Sequence, residues 1–121
     1  WEALLAASHY KLDNITAILD YNKLQITGWT KDVMATEPLE QKFSAFGGSV
    51  RNVDGHDIEA LTEVLSNVPF EREKPSVIIA NTIKGKGISF IENDHVWHHH
   101  VPSDEQYQQA QEELETLLAD L

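Results

Sequence analysis

Two short, almost unbroken apolar runs limit what this chain can fold into: Ile15-Thr16-Ala17-Ile18-Leu19 and Val77-Ile78-Ile79-Ala80. A strand with one wet face alternates apolar and polar residues. A strand covered on both faces reads as a continuous run. Both runs therefore predict parallel strands, over Ile15–Leu19 and Ser76–Thr82. A third, shorter strand is predicted over Val50–Val53.

Helical segments separate them. Trp1–Lys11 places Trp1, Leu4, Leu5 and Ser8 on one face, with small Ala6 and Ala7 permitting close packing. Gln25–Glu37 reads as a loop containing Gly28. Pro38 suits the first turn of a helix carrying Leu39, Lys42, Phe43 and Phe46, which Gly47-Gly48 stops. Asp57 is a good N-cap for a helix bearing Ile58, Leu61, Val64, Leu65 and Val68. Ser103-x-x-Gln106 is a capping box opening a last helix, with Tyr107, Ala110, Leu114, Leu117 and Leu121 as its apolar stripe. The order α-β-α-β-α-β-α implies an α/β fold with a parallel sheet and right-handed crossovers. Three strands make a thin sheet, so the chain is expected to be part of a larger doubly wound domain with helices on both faces.

Length and charge narrow the function. A chain of 121 residues is one domain at most. No apolar run approaches a membrane span, so no membrane partner is expected. The formal net charge of −11 at pH 7 argues against a nucleic-acid partner, which calls for a basic face. Absence of cysteine excludes disulfides and thiolate metal sites and fits a cytoplasmic protein. The chain starts at Trp1 with no methionine and no secretory leader, inside a helical pattern, so its natural N-terminus is expected to lie upstream.

Against this acidic background, Lys84-Gly85-Lys86-Gly87 and Trp97-His98-His99-His100 concentrate cationic and imidazole groups just after a strand. In open α/β sheets ligands bind beyond the C-terminal ends of strands. The Lys84–Val101 stretch is a long loop, and such loops are usually functional or disordered. A site there would combine Lys84, Lys86 and the histidines with Asp20, Asn22 and the Leu24 carbonyl from the loop after the first strand. An amide oxygen and a main-chain carbonyl are hard ligands that suit magnesium bridging to phosphate. Spacing alone equally allows Asp20-x-Asn22 to be a strand-ending turn and Lys84–Gly87 a flexible surface turn. Lys84–Gly87 is not a Walker loop, since Gly-Lys-Ser/Thr is absent. Three neighbouring imidazoles could bind zinc, although adjacent residues of an extended chain point to opposite sides. One imidazole acting on protons or anions is the other reading. Asp54-Gly55-His56-Asp57 reads as a turn plus a helix cap.

Taken together, these residues resemble the thiamine diphosphate-binding (diphosphate) domain of transketolases, and its C-terminal half in particular. Ile18-Leu19-Asp20-Tyr21-Asn22-Lys23-Leu24 is similar to the end of the family's cofactor motif. Phe43-Ser44-Ala45-Phe46-Gly47-Gly48 with Val53-Asp54-Gly55-His56-Asp57 resembles its aromatic-Gly-Trp … Asp-Gly-His-Asp segment, with Gly48 where Trp is common. Asn81-Thr82-Ile83-Lys84-Gly85-Lys86-Gly87 resembles Lys-Thr-x-x-Gly-x-Gly, with Asn81 in place of the first Lys. Trp97-His98 is similar to the family's Trp-His or Ser-His, while His99 and His100 depart from the Gly-Lys that usually follows. The opening Trp1–Ala7 is similar to the helix after the motif's Gly-Asp-Gly start, which this chain lacks. The likeness covers nearly the whole chain and is greatest to the N-terminal subunit of split transketolases.

The resemblance implies a transferase moving a two-carbon ketol unit between sugar phosphates, as in the pentose phosphate pathway, with thiamine diphosphate and Mg2+. By analogy Asn22 gives its side-chain oxygen and Leu24 its carbonyl to magnesium. Lys84 supplies charge, and His98, with His99 as the fallback, contacts diphosphate or substrate. It further implies a partner subunit carrying the pyrimidine domain, in a dimer or heterotetramer, and no activity for this stretch alone. The alternatives are another thiamine enzyme (deoxyxylulose-phosphate synthase-like, or a transketolase for an unusual sugar) and a non-enzymatic metal- or partner-binding module using the His cluster.

Overall fold

The structure is a computed structural model and describes residues 1–119. Its elements are α1 (Glu2–His9), β1 (Thr16–Tyr21), β2 (Leu24–Gln25), β3 (Gly28–Trp29), α2 (Thr30–Val33), α3 (Leu39–Ala45), β4 (Ser49–Asp54), α4 (Ile58–Ser66), β5 (Ser76–Asn81), a 3-10 turn (His95–His98) and α5 (Asp104–Ala119). They form two compact units. A sheet unit comprises Trp1–Tyr21 and Thr36–Thr82. A loop unit comprises Asn22–Ala35 and the chain from Ile83 onward.

The sheet unit is α/β, as the alternation of apolar runs and helices requires. Its three strands are parallel in the order β1-β5-β4. Thr16 pairs with Ser76 and Tyr21 with Asn81, while Ser49 and Asp54 meet the same two β5 residues from the other side. Central β5 holds the core: Val77, Ile78, Ile79 and Ala80 are 1%, 0%, 2% and 6% exposed. Burying aliphatic side chains of this size stabilises by roughly 1.5–3 kcal/mol each.

The first apolar run behaves differently. β1 is a sheet edge among the described residues, and Ile18 is 58% exposed, so the expected coverage on both faces is absent here. An apolar run reports that a strand is suited to burial. It does not say which segments supply the cover.

The helices follow their end signals closely. Gly47 (φ +88°) takes the left-handed conformation after α3; its N–H reaches the Ser44 carbonyl (2.9 Å), and Gly48 N–H reaches Phe43 (3.1 Å). Those two bonds are a Schellman motif. Trp1 packs on Phe43 and Phe46, each at a 5.0 Å ring separation. Pro38 stands one residue before α3 with an extended backbone, rather than inside its first turn. Asp57 caps α4 through the Ala60 N–H (2.9 Å), and Asp54 accepts from His56 N–H (2.9 Å), so this segment is a turn plus a cap. Leu61, Val64 and Val68 turn partly inward, but Ile58 and Leu65 are exposed. On α1, Leu4, Ala7 and Ser8 face inward, whereas Leu5 is exposed.

Two departures from the relatives' pattern have structural reasons. Gly48 is buried, and a Cβ there would lie 2.9 Å from Val77 Cγ2, leaving no room for tryptophan on this backbone. Asn81 stitches β5 to β4 by donating from Nδ2 to the Val53 carbonyl (3.2 Å).

In the loop unit the capping box of α5 forms in full: Ser103 Oγ accepts from Gln106 N–H (3.3 Å) and Gln106 Oε1 from Ser103 N–H (2.9 Å). The predicted apolar stripe is only partly covered: Ala110 is half-buried, and Leu114 and Leu117 lie beside Gly87 of the loop while remaining substantially exposed. Tyr107, Leu114 and Leu117 are exposed, and the half-buried positions are Gln106, Ala110 and Glu113; Leu121 lies outside the described residues. A polar tie fixes the helix beside the loop. Glu113 accepts from Ser89 N–H (2.6 Å) and Ser89 Oγ (2.7 Å), which turns its side of the helix toward the loop. Those bonds, with one from Gln109, hold its carboxyl below the usual carboxylate range. Gln25–Glu37, expected as loop, contains the β2–β3 hairpin and the single turn α2. No described helix is long and apolar enough to cross a membrane.

A candidate cofactor cavity in the loop unit

The site begins where the chain leaves β1. Asn22 Oδ1 accepts the Leu24 N–H (2.9 Å), an Asx turn. Lys23 between them adopts φ +65°, and its carbonyl accepts the Thr30 N–H (2.8 Å). That reversal starts the hairpin, in which Leu24 pairs with Trp29 and Gln25 with Gly28 across a two-residue tip, Ile26-Thr27. Thr30 is buried beneath it.

The second arm leaves β5, whose last residue pairs with the last residue of β1. Lys84 is half-buried, and its carbonyl accepts the Asn93 N–H (3.0 Å), closing the loop on itself. Gly85 allows that closure. It sits at φ +72°, and a Cβ there would approach Ile91 Cβ to 2.9 Å. Trp97 anchors the far end by donating from Nε1 to the Phe90 carbonyl (3.0 Å), which sets the 3-10 turn carrying His98.

Asn22, Leu24, Lys84 and His98 all line one cavity of about 620 Å³ inside the loop unit. Those four are the residues nominated from sequence. The Lys84 ammonium has no ion-pair partner among the described residues, so a positive charge is left for a ligand. Gln25, Ile26, Thr27 and Val33 complete the wall. They were missed because the segment read as loop. The available signal was Gly28, a turn residue between short polar and apolar pairs.

The other candidates are elsewhere. Asp20 is engaged by the Thr82 hydroxyl within the sheet unit. Lys86 pairs with Glu92 (3.7 Å), whose carboxylate also accepts the Gly87 N–H (2.9 Å), and it lines a different cavity with Glu113 and Leu117. His99 crosses His98 edge-on (4.5 Å between rings) and His100 meets Trp97 (5.0 Å), and neither lines the first cavity. No three His, Asp or Glu side chains among the described residues form a group that could hold a metal ion. The triple histidine therefore does not converge as a zinc site would.

The donor set fits a magnesium diphosphate. Asn22 Oδ1 keeps a lone pair beyond its bond to Leu24 N–H, a hard oxygen of the type magnesium accepts. Lys84 and His98 on the same wall complement phosphate charge.

Comparison with known proteins gives the family. Residues 1–116 match the family model described as transketolase, thiamine diphosphate binding domain. The chain is 49% identical over 114 residues to one named subunit of the apulose-4-phosphate transketolase of Actinobacillus succinogenes, covering 94% of this chain and 41% of that protein. It is 41% identical over 115 residues to SqwG, a 6-deoxy-6-sulfo-D-fructose transketolase subunit of a Clostridium species, covering 95% and 42%. Among solved structures, transketolase from Campylobacter jejuni superposes with a TM-score of 0.82 at 32% identity, over 93% of this chain and 18% of that one. The chain thus spans about two fifths of the length of these curated relatives. With the family match running from Trp1 through Thr116 and the solved structures sharing its fold, this chain belongs to the transketolase family, in its thiamine diphosphate-binding domain.

Proposed function

We propose that this chain is the C-terminal part of the diphosphate domain of a transketolase subunit, which transfers a two-carbon ketol unit between sugar phosphates using thiamine diphosphate and Mg2+. The observation that carries this reading is the shared cavity: Asn22, Leu24, Lys84 and His98 line one wall system within a family whose domain binds that cofactor. When bound, the cofactor supplies the carbanion-stabilising chemistry. The chain's own residues bind and orient. Asn22 Oδ1 and the Leu24 carbonyl hold magnesium, Lys84 offsets diphosphate charge, and His98 donates to the diphosphate or exchanges a proton with a substrate hydroxyl. The remaining metal ligand and the pyrimidine-side groups come from outside this stretch, so the stretch alone is inactive and the working form is an assembly with a partner subunit in the cytoplasm. Relatives whose names make them single subunits of transketolases support the split arrangement.

The sugar is a second question. Relatives named for apulose-4-phosphate and 6-deoxy-6-sulfo-D-fructose favour a specialised sugar over the general pentose phosphate set.

The test is magnesium-dependent thiamine diphosphate binding by the full-length protein with its partner, followed by calorimetry. Asn22→Ala is expected to weaken binding at least about tenfold, the scale of losing an outer metal contact or more. His98→Ala is expected to lower turnover more than it lowers affinity, with His99→Ala near wild type. Tight zinc binding that a His98/His99/His100 triple alanine variant loses, with no cofactor binding, would establish the metal-module reading instead.

A further inference from the structure

The ends of the Asn22–Ala35 segment, which carries two of the cofactor-cavity ligands, meet in a polar clasp inside the sheet unit. The Tyr21 hydroxyl donates to Glu37 Oε1, joining the residue before the segment to one just after it. Glu37 Oε2 also accepts the Thr36 N–H (3.1 Å), and Lys42 Nζ donates to the Thr36 carbonyl (2.7 Å). Tyr21 is in turn fixed on the sheet, since its carbonyl accepts the Thr82 N–H (3.3 Å) and it pairs with Asn81.

We propose that the Tyr21–Glu37 clasp is a positioning device for the cofactor site, holding the exit and return of the Asn22–Ala35 segment together so that Asn22 and Leu24 are presented to the ligand in one geometry.

The physical argument is loop closure. A segment with free ends samples many conformations, and joining its ends removes most of that freedom before the ligand arrives. Preorganisation of this kind improves affinity without touching the ligand. The segment has little burial to do the same work: Thr30 is its one buried residue.

The inference rests on the cavity being the magnesium–diphosphate site, so the test separates the two. In the full-length protein with its partner, Tyr21→Phe deletes only the hydroxyl. It is expected to raise the Kd for thiamine diphosphate with magnesium about three- to tenfold, the scale of one ordinary net hydrogen bond, with the unfolding midpoint nearly unchanged. Trypsin cleavage after Lys23 and Lys31 is expected to accelerate by a similar factor relative to cleavage after Arg72. Glu37→Gln keeps an oxygen acceptor and is expected to fall between wild type and Tyr21→Phe. If Asn22→Ala weakens cofactor binding but Tyr21→Phe and Glu37→Gln leave Kd at the wild-type value, the clasp proposal is overturned. If Asn22→Ala itself has no effect, the cavity reading fails instead.

Discussion

The sheet unit and the loop unit are held by different forces. In the sheet unit, the four core residues of β5 are almost wholly removed from water. In the loop unit, Thr30 is the single buried residue among those described. What replaces burial there is a set of side chain-to-backbone bonds: Asn22 to Leu24, Glu92 to Gly87, Glu113 to Ser89, Trp97 to Phe90. Apolar packing is dense and tolerates no lost volume. Polar ties are weaker, the one at Glu113 depends on protonation, and low-stability segments are where ligand-binding loops are drawn from. The candidate cavity lies wholly in the second kind of structure.

The largest test of this contrast is in β5. Ile78→Ala is expected to destabilise the protein by about 2–5 kcal/mol, read as a fall in the urea midpoint. A loss below about 1 kcal/mol would mean that β5 is not the core it looks to be. Next comes the loop unit's best-formed cap. Ser103→Ala is expected to cost about 1 kcal/mol, seen as faster amide exchange in the first turn of α5 with β5 amides unaffected. Exchange that rises equally in both units would show that they do not differ in kind.

Acid should loosen the Ser89–Glu113 tie of the loop unit. The Glu113 carboxyl is held low mainly by the Ser89 N–H and hydroxyl, so the stabilisation is present above its unfolded pKa. It is lost as pH falls through the depressed folded value. Protection of the Ser89 amide is therefore expected to be lost below the ordinary carboxylate range while β5 amides stay protected. Glu113→Gln should show the reduced protection at neutral pH. The smallest effect is expected from the other apolar run: Ile18→Ala, at a position 58% exposed, should change stability in this stretch by about 0.5 kcal/mol or less. In the full-length protein a larger loss would reveal that further chain covers β1.

Much of this was readable from local patterns. Asp57, Ser103 with Gln106, and Gly47 with Gly48 each act at the helix end where they were expected, because capping needs only a few neighbouring residues and one backbone geometry. Asn22, Leu24, Lys84 and His98 were nominated together, and they line one cavity, because the two segments carrying them leave adjacent parallel strands. The misses have a common cause. Leu5, Ile58, Leu65 and, on α5, Tyr107, Leu114 and Leu117 are apolar at helical spacing yet exposed, since periodicity marks a face without naming its neighbour. Lys84 and Lys86 looked equivalent in the loop, but Glu92 takes Lys86 and leaves Lys84 to the cavity.

By itself the amino-acid sequence determined the α/β class, most helix ends and the four side chains and carbonyls that line one cavity. Those depend on local backbone preference and on the chemistry of single side chains. Only the tertiary structure decided that β5 is central and β1 an edge among the described residues, that Glu113 of α5 ties itself to Ser89, and that Tyr21 clasps Glu37. Such choices depend on which groups from distant segments meet, and a short-range pattern carries no record of that.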